Sequence, residues 1–129
     1  MQSIFKAYDI RGRYPNEISE SVVKEIVAVV ACDLVKNKGG KKFIVAHDAR
    51  LSSPALYRAA IQGAQSIKGI SVVKIGLATT PMFNFLVNHF KAIGGVMITA
   101  SHNPPEYNGL KIVKEKAIPL SGTDVYELL

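Results

Sequence analysis

The stretch 99-TASHNPPEYNGLKI-112 joins two apolar runs through a segment too short to contain a helix. Upstream, 95-GVMIT-99 has the composition of a buried strand, and downstream 110-LKIV-113 reads as another. Asn108-Gly109 between them is a turn signal. A parallel neighbour needs a crossover of roughly a dozen residues or more, so the second strand is expected to run antiparallel to its neighbour. The remainder of the stretch is polar and stiff: Ser101, His102 and Asn103 precede Pro104-Pro105.

Outward from this stretch the elements alternate. Over residues 19–37, Val23, Ile26, Val27, Val30 and Leu34 recur at helical spacing. Ser19 is placed to cap that helix, Ile18 and Val23 to form a hydrophobic staple, and Gly39-Gly40 to stop it. Lys36 and Lys38 suit its C-terminal end. The run 42-KFIVAH-47 reads as a buried strand and 70-ISVVKI-75 as a second. Ser53-Pro54 and Thr80-Pro81 read as cap plus proline at the start of two further helices, the first reaching about Lys68. The last residues, 122-GTDVYELL-129, read as the first turns of another helix. Strand–helix–strand order implies right-handed crossovers and a parallel core. The expected class is α/β, with a mixed, mainly parallel sheet of about four strands and helices on both faces.

Composition narrows the function. The chain of 129 residues is long enough for one domain with a single core, and 48% of it is apolar and 20% charged. No apolar run is long enough to span a membrane, and the N-terminus lacks a secretory layout, so no membrane partner and a cytoplasmic location are expected. Sixteen Lys and Arg against ten Asp and Glu give a net charge of +6, which suits an anionic ligand or a solvated surface. The five Tyr and five Phe are not interleaved with basic residues, so no nucleic-acid partner is expected. The single cysteine, Cys32, cannot form an internal disulfide and reads as a buried thiol.

In sheets of this class ligands bind at the carboxyl ends of the parallel strands. Three polar clusters fall there: 47-HDARLS-52, 76-GLATTP-81 and the loop that begins at Thr99. Ser101 is therefore where chemistry is expected. The G-x-S-x-G elbow of a hydrolase is absent. A Ser101–His47–Asp48 triad is conceivable, but sequence neighbours are poorly placed to orient one another. His89, within a helical pattern, reads as a surface or core residue. Another role is to carry a phosphoryl group, which adds about two negative charges and needs cations and donors around it. Lys111, Arg11, Arg13, Arg50, His102 and Asn103 could supply them. The alternative is an ordinary proline-rich turn in which Ser101 makes a local backbone hydrogen bond.

The loop T-A-S-H-N-P-P-x-Y-N-G-x-K, taken with 5-FKAYDIRG-12, resembles the phosphoserine loop and opening segment of the α-D-phosphohexomutase family, on its phosphomannomutase/phosphoglucomutase branch. The segments 48-DARLSSP-54 and 76-GLATTPMF-83 are similar to two further segments of that family, in the same order and spacing. Ala46-His47 stand where many members have Gly and Arg. The resemblance covers essentially the whole chain and implies that residues 1–129 form the first, phosphoserine-bearing domain. It implies that Ser101 donates a phosphoryl group to a hexose phosphate, giving a bisphosphate that reorients and returns its other phosphate. The substrates would be hexose 1-phosphate and hexose 6-phosphate of mannose or glucose. Lys111 and Arg11 would lie beside the reacting oxygens, and Tyr8, His102 and Asn103 would line the substrate site. A Mg²⁺ would bind one oxygen of the Ser101 phosphate.

The same resemblance implies parts this sequence lacks: a D-x-D-x-D metal loop, a sugar-specificity loop and a phosphate-holding loop, each on another domain. Leu128-Leu129 then read as the end of an excised domain, and the chain alone is expected to be inactive. An exposed apolar surface is expected where the other domains would dock. The competing expectation is a non-catalytic sugar-phosphate or anion-binding module using the same strand-end loops.

Overall fold

The computed structural model describes residues 2–38 and 41–129. In chain order it contains β1 (Ile10–Arg13), α1 (Glu20–Lys38), β2 (Lys42–His47), α2 (Ser53–Gln65), β3 (Ser71–Leu77), α3 (Thr80–His89), β4 (Gly94–Ile98), β5 (Tyr107–Lys114), β6 (Ile118–Leu120) and α4 (Gly122–Leu128). The mixed sheet with helices on both faces is the architecture expected. It has six strands rather than about four, in the order β1-β5-β4-β2-β3, with β6 also on β5. β2 runs parallel to β3 and to β4, and β5 is antiparallel to β4. The two strands the sequence did not disclose, β1 and β6, pair in tandem along the free edge of β5.

Strand alternation sends each strand's side chains to two cores. Phe43 and Val45 of β2, Val96 and Ile98 of β4, and Leu110 and Ile112 of β5 face α1, α2 and Val125 of α4. Ile44, Ala46, Met97 and Val113 face Phe83 and Val87 of α3. In α1 the spacing does what it predicts: Val23, Ile26, Val27, Val30 and Leu34 are all buried. Ser19 caps α1 by accepting from the Val22 N–H at 3.3 Å, and Ile18 and Val23 are both buried beside it. The glycine stop predicted at 39–40 lies outside the described residues. Cys32, expected buried, is half-buried and free. α1 and α2 pack closely because Gly63 has no side chain; a Cβ there would strike the Lys24 carbonyl oxygen.

Three local readings shift. α3 is capped not by Thr80 but by Thr79, whose hydroxyl oxygen accepts from the Met82 N–H at 3.2 Å. Ser52, not Ser53, flanks α2, and that helix ends at Gln65 rather than near Lys68. Asn108-Gly109 is not a turn: both residues lie inside β5, opposite Gly12 and Arg11. Asn108 is fully buried and donates to the hydroxyls of Ser52 at 2.8 Å and Ser53 at 3.0 Å. Those bonds, more than fifty residues apart in sequence, outcompete the local turn preference.

Candidate active site

The parallel register brings three chain segments level. His47 lies opposite both Leu77 and Ile98, so β2, β3 and β4 release their loops side by side. The Asp48 N–H donates to the Ile98 carbonyl and the Ala78 N–H to the His47 carbonyl, each at 3.0 Å, continuing the ladder beyond the strands. The loop after β4 has a buried base and an exposed tip. Thr99 and Ala100 are buried, whereas Ser101 and His102 face solvent.

Ser101 adopts a left-handed backbone with φ of 55°. For a residue with a Cβ that conformation is sparsely populated and persists only where neighbours over-determine it. Here its N–H donates to Thr99 Oγ1 at 3.0 Å, and the Asn103 N–H donates to the Ala100 carbonyl at 3.1 Å. The Ser101 hydroxyl makes no hydrogen bond among the described residues, so the local bond of an ordinary turn involves the backbone and leaves the side chain available.

Beneath the tip sits Arg50. It donates to the carbonyl oxygens of Ser101 at 2.9 Å and Asn103 at 2.7 Å through Nη2, and of Pro104 at 2.7 Å and Tyr107 at 3.2 Å through Nη1. Its Nε lies 3.3 Å from Asp48 Oδ2. Asp48 Oδ1 accepts from the Arg50 N–H at 3.1 Å and from the Ser53 hydroxyl. Through Ser53 this network reaches Asn108 in β5.

Arg11 reaches the loop from the other side. Its Nε lies 2.8 Å from Asp9 Oδ1, and its Nη1 donates to Asn103 Oδ1 at 2.7 Å. Arg11 and Lys111 project from the same sheet face, because Arg11 pairs with Gly109, two residues before Lys111. Lys111 pairs with Met97 and lines a cleft of about 360 Å³ together with Tyr8, Phe83, Asn84 and Ser121. The structure thus joins Arg11 to Asn103 directly, and sets Tyr8 and Lys111 in a neighbouring cleft. His102 is exposed at the tip with no partner among the described residues.

The triad is not assembled. His47 Nδ1 contacts the Asp48 backbone oxygen at 2.6 Å, its ring packs on Tyr57 at 4.7 Å, and the Asp48 carboxylate is engaged by Arg50 and Ser53. His89, at the exposed end of α3, stacks on Phe85 with ring centroids 5.7 Å apart. Among the described residues no three His, Cys, Asp or Glu side chains come together as a metal site. Sequence reasoning missed Thr99, Asp9 and Asn108 as supports of the loop. The D-x-R-x-S spacing points to Asp48, Arg50 and Ser52, but not to the carbonyls that Arg50 binds.

Fold and loop together define a three-layer α/β/α domain with a polar site at its strand ends. Residues 2–128 match the family model described as phosphoglucomutase/phosphomannomutase, alpha/beta/alpha domain I. The chain belongs to that family. It is 46% identical over 117 residues to the phosphohexose mutases of Xanthomonas campestris pv. campestris, covering 91% of this chain and 25% of that protein. It is 41% identical over 118 residues to the phosphomannomutase of Salmonella montevideo, covering 92% and 25%. A phosphoglucomutase/phosphomannomutase family protein from Burkholderia thailandensis superimposes with a TM-score of 0.88 at 32% identity, over 99% of this chain and 29% of that one. The chain thus spans about a quarter of the length of the relatives it matches.

Proposed function

We propose that this chain is the phosphoserine-bearing domain of a mutase that interconverts hexose 1-phosphate and hexose 6-phosphate, of mannose or glucose. The observation that carries the reading is the free hydroxyl of Ser101, held outward at the tip of a loop whose backbone is tied down. In the proposed cycle the Ser101 oxygen bears a phosphoryl group in the resting enzyme. A hydroxyl of the bound hexose phosphate attacks phosphorus and loses its proton. The bond from phosphorus to the Ser101 oxygen breaks, and that oxygen takes up a proton, leaving a bisphosphate sugar and a free serine hydroxyl. The bisphosphate turns over and returns its other phosphate to Ser101 by the reverse step.

Lys111 and Arg11 stabilise charge on the transferring group or assist its proton transfer. Arg11 does the former, since a guanidinium is a poor base and Asp9 holds it in place. Tyr8, His102 and Asn103 line the sugar site. The residues in hand do not make a site for Mg²⁺: Ser101, through its phosphate, offers one ligand, while Asp9 and Asp48 are engaged by arginines. The remaining ligands, and the sugar-selecting and phosphate-holding groups, come from outside residues 1–129. A coupled assay of the 129-residue chain alone is expected to show no turnover.

Intact-mass and phosphopeptide analysis of the protein from its source cells tests this reading. Phosphate on Ser101 is expected, lost in Ser101→Ala together with mutase turnover, while the unfolding free energy moves by less than about 0.5 kcal/mol because the side chain is exposed. An unmodified Ser101 with no turnover would leave a sugar-phosphate or anion-binding module instead.

A further inference from the structure

We propose that Arg50 is a positioning residue that shapes the Ser101 loop, and not a ligand for the phosphate; the inference rests on reading Ser101 as the phosphoryl carrier. An arginine beside a phosphorylated serine would ordinarily be assigned to the phosphate, since its fork matches that geometry. Here the fork is already occupied. Arginine carries five N–H bonds. Both on Nη1 are directed to carbonyls (Pro104 and Tyr107), both on Nη2 to carbonyls (Ser101 and Asn103), and the one on Nε faces Asp48. No N–H remains for a phosphate oxygen. The side chain is only 14% exposed, which also sets it below the tip rather than in the site.

The loop needs this cation. Carbonyl oxygens from residues 101, 103, 104 and 107 converge on one point, where without a donor they would repel one another. A guanidinium at that point satisfies all of them in one plane. The Ser101 carbonyl is among them, so the peptide that follows Ser101 is fixed, and with it the left-handed backbone that aims the hydroxyl outward. Asp48 sets the plane of the fork, and Ser53 and Asn108 hold Asp48 in turn. A lysine would keep the charge, but three N–H bonds on one nitrogen cannot span acceptors on both sides of the fork.

Charge and shape are separated by Arg50→Lys in the full-length enzyme. Wild type is measured first: absence of both Ser101 phosphate and turnover would sink the phosphoserine reading itself, leaving amide exchange alone to judge the clamp. Where wild type turns over, Arg50→Lys is expected to lower kcat by about 10- to 100-fold with KM held within about threefold, the pattern of a misplaced reacting group. Amide exchange over residues 101–107 should quicken while the global unfolding midpoint stays near wild type. A raised KM with kcat retained would make Arg50 a phosphate ligand and overturn the inference, as would unchanged exchange and unchanged kcat. If Arg50→Lys does not fold, Asp48→Asn, which frees the plane of the fork, should show the same split in smaller measure; unchanged kcat and loop exchange there would also overturn it.

Discussion

On one face of the sheet, α1, α2 and α4 close over Phe43, Val45, Val96 and Ile98, all of them fully buried. On the other face α3, with Ala92 and Ala117, covers Ile44, Ala46 and Met97, and Phe85 on α3 stays 63% exposed. Arg11 and Lys111 project from this second, thinly covered face. The sealed core and the polar strand-end groups are thus separated across the sheet. The closed face fixes where the strands end, and the open face leaves room beside those ends for the side chains of Arg11 and Lys111.

Two phenylalanines give the widest contrast. Phe43→Ala empties a fully buried site in the larger core and is expected to cost about 3–5 kcal/mol, through lost transfer energy and the cavity left behind. Phe85→Ala on the outer side of α3 should cost less than about 0.5 kcal/mol, since its ring is solvated and touches only His89 among aromatic neighbours in the described residues. Urea unfolding of both variants measures the contrast. Equal losses would mean that the open face is as strongly coupled to folding as the closed one.

A smaller effect is expected at the edge where the open face begins. Gly109 pairs with Arg11, and a Cβ there would run into the Ile10 carbonyl oxygen. Gly109→Ala should force β1 away from β5 at a cost of about 1–3 kcal/mol. It should also disturb the Arg11 bond to Asn103, which spans the two segments. Exchange of the amides paired between β1 and β5 reports the separation. If they remain protected, the backbone approach is looser than the register implies.

What the sequence disclosed and what it hid follow the same division between local and distant causes. The run 42-KFIVAH-47 matches β2 end to end, because a continuous apolar segment between charges has few other uses. The proline signals found α2 and α3 but chose the wrong cap at Thr79-Thr80, where adjacent residues carry the same hydroxyl. β1 contains two arginines and a glycine, and β6 is three residues with a proline at its centre; each is a strand only because the edge of β5 is free to receive it. The place of Ser101 in an exposed loop after β4 was legible from the strand order. The role of Arg50 was not, since its partners are backbone carbonyls, which every residue carries and no sequence marks.

The smallest expected effect lies on the closed face at Tyr57 of α2. Its hydroxyl oxygen accepts from the Gly76 N–H in β3 at 3.0 Å, fastening the helix to the far strand. Burial pushes the Tyr57 phenol above its ordinary value, outweighing the opposite pull of the Gly76 N–H. A phenol whose native value is raised binds its proton more tightly folded than unfolded. Its contribution to stability is therefore complete below the unfolded value of about 10 and is lost as pH rises through the native value. Tyr57→Phe should cost about 1 kcal/mol at neutral pH by leaving the Gly76 N–H without its acceptor. It should also remove one source of alkaline sensitivity, so the gap between wild type and variant narrows above pH ~10. Urea midpoints of both proteins at neutral and alkaline pH give this double difference. A gap that stays constant, or widens with pH, would show that Tyr57 does not gain its stability from the protonated form, and that α2 is fastened to β3 by packing alone.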